Sequence, residues 1–197
     1  MTASPGRPRT FDTDVALSDA IKVFSAKGYN GTSIKDLSES LNLTAGSIYK
    51  AFKDKRTLFL KTLDYYKNQR DTLSQNRIAQ ADLGKDKIRK LLEGYAQDSL
   101  GESGQIGCMV VATAIELASE DSEIKQKINR LFHSGIKTIR ELIMLGQQDG
   151  SIPVTIDPDK MAQTLHSITQ GMRVIGKANV DKSHLENIVS TSMSLLD

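Results

Sequence analysis

The stretch GTSIKDLSESLNLTAGSIYKAF, residues 31–52, carries the signals of two short helices joined by a tight turn. Thr32 or Ser33 can cap the first helix, and Asp36 follows closely as an acid of its first turn. Thr44 can cap the second helix in the same way. The apolar residues that recur at helical spacing are Ile34, Leu37, Leu41, Ile48 and Phe52. The stretch therefore predicts two short helices that each bury one face.

The second of these helices begins with almost no side-chain bulk. Ala45, Gly46 and Ser47 are small, whereas Tyr49 and Lys50 lie on the face away from the apolar residues. A helix that enters the major groove of DNA must bring its backbone close to bases and phosphates, and small leading residues permit this. A phenol and an ammonium can then contact sugar and phosphate. The alternative is a flexible turn followed by a core aromatic, but the combination of features favours DNA recognition.

Composition places the chain among ordinary globular proteins. Its 197 residues are 39% hydrophobic and 25% charged, and no apolar run approaches the roughly 20 residues that span a bilayer. The N-terminus, MTASPGRPRTFD, lacks the apolar core of a signal peptide, so we expect a cytoplasmic protein without membrane contact. A single cysteine, Cys108, excludes an internal disulfide and leaves no Cys-Cys spacing for zinc. No metal and no cofactor is predicted.

The net charge of +2 is unevenly distributed along the chain. Residues 1–56 hold nine Lys/Arg and six Asp/Glu, giving +3, and residues 57–197 hold 17 and 18, giving −1. A basic N-terminal part is compatible with nucleic-acid binding, although a solvated basic face would show the same excess.

Helical periodicity continues to the C-terminus. Asp54 can cap a long helix whose far end is the polar run NQRDTLSQNR, residues 68–77, and which we expect to link two domains. Further helices are predicted around residues 88–95, 108–118, 128–150, 161–176 and 185–196. No alternating strand pattern of useful length is present, so the predicted fold is all-α.

Residues 16–63, ALSDAIKVFSAKGYNGTSIKDLSESLNLTAGSIYKAFKDKRTLFLKTL, resemble the TetR family of bacterial transcriptional repressors. The landmarks in family order are Phe24, Gly28, Tyr29, Thr32, Ser33, Ile34, Leu37, Leu43, Ile48, Tyr49, Phe52, Lys55 and Leu58. Ser38 and Asn42 stand where the family usually has Ala and Gly. Neither change removes a DNA contact, but Asn42 must adopt the backbone geometry that glycine usually supplies.

The resemblance implies a ligand-responsive repressor that binds a palindromic operator in double-stranded DNA as a homodimer. It implies a helix-turn-helix DNA-binding domain at residues 1–56 and a helical effector-binding and dimerisation domain at residues 57–197. GRPR, residues 6–9, resembles the basic arm of many members, which can reach phosphates or a minor groove or can make no contact. The residues expected to contact DNA are Arg7, Arg9, Thr32, Ser33, Thr44, Ala45, Gly46, Ser47, Tyr49, Lys50 and Lys55.

In family members the last two helices pack against their symmetry mates. The corresponding apolar stripe here exceeds what one thin domain needs, and such a surplus is usually buried between subunits, although a plain core would show the same pattern. The residues expected at the dimer interface are Met161, Leu165, Ile168, Met172, Ile175, Leu185, Ile188 and Val189.

The resemblance also implies an effector pocket among the middle helices. The residues expected to line it are Tyr95, Cys108, Met109, Thr113, Phe132, Ile136, Met144, His166 and Gln170, unless they are simply core. This largely apolar set suits a small, neutral amphipathic organic effector. The GCM turn at residues 107–109, with Glu116 further along its helix, resembles a subgroup with a repressor that responds to N-ethylmaleimide and other electrophiles through a cysteine. Cys108 at a helix start would favour thiolate, whereas burial among apolar neighbours would make it inert.

Enzyme functions are not supported by any motif. His133, His166 and His184 lie in separate helical contexts, without HExxH or GxSxG. GESGQIG, residues 101–107, lacks the GKS/T and the preceding strand of a phosphate-binding loop. The competing hypothesis is a helical ligand carrier or protein-interaction module that does not bind DNA.

Overall fold

Residues 12–197 are described in the structure, a computed structural model, and they form ten helices and no strand. The all-α prediction is confirmed. The helices are α1 (Thr13–Lys27), α2 (Ile34–Leu41), α3 (Ala45–Phe52), α4 (Lys55–Ile78), α5 (Gly84–Asp98), α6 (Gly101–Ile106), α7 (Met109–Leu117), α8 (Ser122–Asp149), α9 (Pro158–Gly176) and α10 (Lys182–Ser194). The contacts predicted for Arg7 and Arg9 lie outside the described residues.

The helix starts follow the capping residues of the sequence. Asp12, Ser33, Thr44 and Asp54 each accept a hydrogen bond from a backbone N–H in the first turn of the helix that follows. Of the two caps considered for α2, Ser33 is the one used. Helix α6 was not predicted, because its six residues contain one large apolar side chain, Ile106, and so show no period.

The apolar side chains of the described residues form two clusters. The first joins α1, α2 and α3 to the first half of α4, and it also takes in α7 and the start of α8. The second is built from α5, the later part of α8, α9 and α10. Helix α7 thus belongs to the core of the N-terminal helices, although it lies far from them in sequence. A change in the position of α7 would therefore be felt directly by α1 and α4.

Candidate nucleic-acid interface and effector pocket

Paired hydrogen bonds cap the start of α2, and a left-handed turn joins its end to α3. The Ser33 hydroxyl accepts from the Asp36 amide at 3.1 Å, and the Asp36 carboxylate accepts from the Ser33 amide at 2.7 Å. Hydrogen bonds from Lys27 and Ser33 hold the pKa of Asp36 well below its ordinary value. Asn42 ends α2 at φ 50° and ψ 41°, as expected where glycine is usual. The capping box fixes the start of α2, and the turn at Asn42 sets the way in which α3 follows it.

Helix α3 has one buried and one open face. Ile48 is 0% exposed and Phe52 is also buried, whereas Tyr49 is 48% exposed and Lys50 lies beside it in solvent. Tyr49 is therefore not a core aromatic. A Cβ added at Gly46 would meet nothing closer than 3.9 Å, so packing within the subunit does not require its small size. The exposed start of α3 can thus approach a large partner closely.

A cavity of about 100 Å³ lies among α4, α5, α8 and α9, beside the start of α7. Its apolar wall consists of Leu91, Val110, Leu131, Phe132 and Ile139. Burial raises the pKa of Tyr95 and lowers that of His166, so these groups face the cavity as a phenol and a neutral imidazole at neutral pH. Cys108, the half-buried residue just before α7, also lines the cavity.

Three arginines of the cavity wall converge on one aspartate. The Arg77 guanidinium donates to both carboxylate oxygens of Asp98, at 2.8 and 3.1 Å, and Arg70 pairs with the same carboxylate. Arg173 donates to the backbone carbonyls of Asp98 and Gly107, the latter at 2.9 Å. Burial, together with the nearby charge of Arg70, lowers the pKa of Arg77. We call Arg70, Arg77, Asp98 and Arg173 the Asp98 cluster.

A carboxylate near the end of α7 holds the turn between α1 and α2. Glu116 accepts hydrogen bonds from the backbone N–H groups of Tyr29 and Asn30, both at 2.7 Å. This approach requires glycine at position 28, where φ is 72° and an added Cβ would lie 2.5 Å from the Glu116 carboxylate. Arg56, in the first turn of α4, forms ion pairs with Asp121 and Glu123 and so links α4 to the start of α8.

The outer surface of α9 and α10 carries apolar residues that the subunit does not cover. A shallow groove between the two helices is lined by Ile168, His184, Asn187, Ile188, Thr191, Ser192 and Leu195. Val174 is 50% exposed on the same side of α9 as Gly171, three residues away, where an added Cβ would meet nothing within 4 Å.

Two family models match the chain. The model described as bacterial regulatory proteins, tetR family, matches residues 16–62, and the model described as tetracyclin repressor-like, C-terminal domain, matches residues 84–191, over half of the chain.

The chain belongs to the TetR family. The HTH-type transcriptional repressor ComR of Escherichia coli (strain K12) is 28% identical over 196 residues, covering 98% of this chain and 92% of that protein. The uncharacterized regulator YezE of Bacillus subtilis (strain 168) is 27% identical, covering 98% of this chain and 100% of YezE. Among solved structures, a cysteine mutant of the TetR family regulator CifR, complexed with 26-bp operator DNA, matches with a TM-score of 0.87. That match has 26% identity and covers 97% of this chain and 100% of that chain.

This TetR chain is accordingly a DNA-binding transcriptional regulator and not an enzyme. Within residues 12–197, no helix is long and apolar enough to cross a membrane. The same residues contain no cluster of three or more His, Cys, Asp or Glu side chains suited to a metal ion.

Two of the predicted DNA contacts of this TetR protein need correction. Thr32 is buried, and its hydroxyl donates to the Gly28 carbonyl at 2.6 Å, so it does not face a phosphate. The Lys55 ammonium donates to the carbonyls of Tyr29 and Thr32 at 2.9 and 2.8 Å and lies 4.3 Å from the Tyr29 ring centroid. Lys55 therefore fastens the α1–α2 turn, which capping patterns and spacing alone do not reveal.

The cavity includes some of the residues predicted to line the effector pocket and leaves out others. Tyr95, Cys108, Phe132, His166 and Gln170 line the cavity. The residues predicted there that do not line it are Met109, Thr113, Ile136 and Met144. Met109 and Thr113 point into the core beneath α7. Met109 is buried in the first apolar cluster, and the Thr113 hydroxyl donates to the Met109 carbonyl. The cavity surface is more apolar than polar, but the three arginines that it includes were not predicted.

A signal for two of these arginines was present in the polar run of residues 68–77. Arg70 and Arg77 are seven residues apart, which is two helical turns, and therefore share a face of α4. Arg173 gave no such signal, because it stands alone within an apolar stripe.

Several residues predicted at the dimer interface of this TetR protein are core residues of the single subunit. These are Leu165, Met172, Leu185 and Val189. The partly exposed members of the predicted set are Met161, Ile168, Ile175 and Ile188. The most regularly spaced apolar residues of α9 pack inward against α5 and α8. The neighbouring surface of α9, around Ile168 and Val174, is not covered by the subunit.

Proposed function

We propose that this TetR-family protein is a repressor that binds a palindromic operator as a homodimer and is released by a small organic effector. Residues 1–56 would bind DNA, and residues 57–197 would hold the effector and form the dimer. The observation that carries the proposal is the open face of α3, where Tyr49 and Lys50 are exposed while Ile48 and Phe52 hold the helix in the core.

The proposed DNA contacts lie on the open face of α3 and at the exposed starts of α2 and α3. Ser33 and Thr44 lie exposed at the starts of α2 and α3, where helix N-termini favour phosphate. Tyr49 and Lys50 would reach sugar and phosphate, and the small residues from Ala45 to Ser47 would let the backbone approach the bases. Arg7 and Arg9 would add contacts from the N-terminal arm.

The dimer would form through the uncovered side of α9 and α10. Glycine at position 171 permits close approach of a second helix, and Ile168, Val174 and Leu195 supply exposed apolar surface. Two subunits paired in this way would read two half-sites roughly 34–36 Å apart, or at a multiple of that spacing.

Selection of bound fragments from a random DNA pool tests the function directly. A repressor of this type should recover a palindrome, and its affinity for the recovered site should fall steeply between about 50 and 200 mM salt because bound phosphates release counterions. A ligand carrier or protein-interaction module would recover no common site and would show no salt-dependent DNA binding.

Effector binding would reach the DNA through α7. The carbonyl of Gly107, just before α7, accepts from Arg173 in the cavity wall, and Glu116 near the other end of α7 holds the amides of Tyr29 and Asn30. A ligand that moves Arg173 would shift α7 and the α1–α2 turn together. The operator would be released in proportion to the effector's preference for the shifted arrangement.

Replacing Glu116 by glutamine should loosen this connection. The amide keeps one acceptor but turns an NH₂ group toward a backbone N–H, so a charge-assisted hydrogen bond is lost. Hydrogen exchange of the Tyr29 and Asn30 amides should become about tenfold faster, the equivalent of about 1.4 kcal/mol. Glu120→Gln, with an exposed carboxylate beyond the end of α7, is the matched control and should leave both amides unchanged. Unaltered exchange in Glu116→Gln would remove Glu116 from the pathway.

A second mechanism is favoured by the position of Cys108 at the cavity wall, where it is half-buried rather than sealed in the core. If this thiol is the sensor, N-ethylmaleimide should release the wild-type protein from the selected operator while Cys108→Ser stays bound. A gel-shift titration of both proteins gives the answer. Equal release of both, or of neither, would leave reversible effector binding as the mechanism.

A further inference from the structure

Positive charge exceeds negative charge among the described residues that line the cavity. The cations are Lys67, Arg70, Arg77 and Arg173, and the carboxylates are Asp71 and Asp98. Four cations against two carboxylates leave two positive charges uncompensated. Lys67 pairs with Asp71 one turn further along α4. The excess therefore belongs to the Asp98 cluster, which contains three guanidinium groups and one carboxylate.

Arg173 is the most deeply buried of these cations, with 4% of its surface exposed. Its hydrogen-bond partners among the described residues are neutral: the carbonyls of Asp98 and Gly107, and the Ser99 hydroxyl at 3.4 Å. Burying a guanidinium beside neutral acceptors costs free energy that a paired anion would offset. The Asp98 carboxylate carries a single negative charge, and Arg77 and Arg70 already share it.

The remaining wall limits the size and shape of an anion. Phe132, Leu131 and Ile139 present apolar surface, and the volume is about 100 Å³. This volume is below the roughly 150 Å³ of a cavity that binds benzene, so the ligand can be no larger than a short chain or, if the wall adjusts, a single ring. An isolated inorganic ion would leave this apolar wall without a partner.

We propose that the effector is a small amphipathic carboxylate, aromatic or short-chain, bound with its anionic end at the Asp98 cluster. This inference deepens the proposed function, and it rests on that function for the claim that the bound ligand releases the operator. It replaces the neutral ligand expected from the sequence, because the arginines that decide the charge of the cavity come from two separate helices.

Calorimetric titration with carboxylates and their amides tests the charge requirement. Benzoate, phenylacetate and hexanoate are each compared with benzamide, phenylacetamide and hexanamide, which keep the shape and remove the charge. At least one carboxylate should bind about tenfold more tightly than its amide, as expected for one charge-assisted hydrogen bond.

Three variants assign the site. Arg70→Gln, at the cavity rim, should weaken the carboxylate about tenfold, whereas Arg140→Gln, paired with Asp159 outside the cavity, should have no effect. Asp98→Asn should act in the opposite direction and strengthen carboxylate binding, because it removes the anion that competes for the arginines. Amide binding should be unchanged in all three. Arg70→Gln keeps the test decisive even if the more buried Asp98 variant does not fold.

The proposal is overturned if no carboxylate binds, if the amides bind equally well, or if Arg70→Gln retains wild-type affinity. Operator binding is measured separately in the presence of each compound. Carboxylate binding without operator release would uphold the anion site and refute the effector role. Operator release by a neutral amide alone would uphold the effector role and refute the anion site.

Discussion

Replacing Tyr49 by alanine should abolish high-affinity operator binding and leave the fold intact. Tyr49 is half-exposed on the open face of α3, so its loss should change the free energy of unfolding by no more than about 0.5 kcal/mol. Each subunit would lose a DNA contact worth about 1.4 kcal/mol, a factor of ten, and a dimer would lose about a hundredfold in affinity. Fluorescence anisotropy on the selected operator measures the binding, and thermal unfolding measures the stability.

Ile48→Ala provides the contrast on the opposite face of the same helix. Ile48 is fully buried, so its truncation should cost about 2–5 kcal/mol of folding stability. If Tyr49→Ala instead destabilised the protein and kept its operator affinity, the assignment of the two faces would be wrong.

Substitutions on the uncovered side of α9 should separate the subunits. Val174→Glu places a charge on an exposed apolar position, and in a symmetric dimer both copies carry it. An unpaired charge in a dry interface costs several kcal/mol, so the dissociation constant should rise by about a thousandfold. Sedimentation velocity should then find monomers that remain folded, and operator affinity should fall with dimer loss.

Gly171→Leu is an independent test of the same surface. The added side chain meets nothing in the subunit, so it should leave the monomer stable while blocking close approach of a second helix. Val154→Glu, at an exposed apolar position in the turn before α9, is the control and should remain dimeric. Intact dimers in both Val174→Glu and Gly171→Leu would move the interface elsewhere. Leu165→Glu is unsuitable for this purpose, because Leu165 is buried within the subunit and the change would unfold it.

All the helices except α6 could be predicted, because their signals are local. A capping side chain such as Ser33 or Thr44 bonds to an amide two or three residues away, and an apolar face repeats within a single helix. The opposition of Ile48 and Tyr49 on α3 follows from the same short period. The left-handed geometry at Asn42 could also be expected, because it belongs to the short turn that joins two helices.

The partners of individual polar side chains could not be predicted, because those partners come from distant parts of the chain. Lys55 has the charge and the position expected of a phosphate contact. Its ammonium nevertheless donates hydrogen bonds to backbone carbonyls more than 20 residues earlier in the chain. Glu116 bonds to amides 86 and 87 residues away. The spacing of Lys55 and Glu116 in the sequence does not show whether each side chain bonds to a group within the protein or to a partner such as DNA.

The sequence by itself determined an all-α chain and the exposed face of α3, since both depend on contacts within a few residues. Tertiary structure alone decided which apolar side of α9 is covered, because Leu165 and Val174 differ in burial only through the packing of α5 and α8 against that helix. It also decided the chemistry of the cavity. Arg70 and Arg77 meet Arg173 at Asp98 only when α4 and α9 pack against α5, and a charge excess built from separate helices has no signature in local sequence.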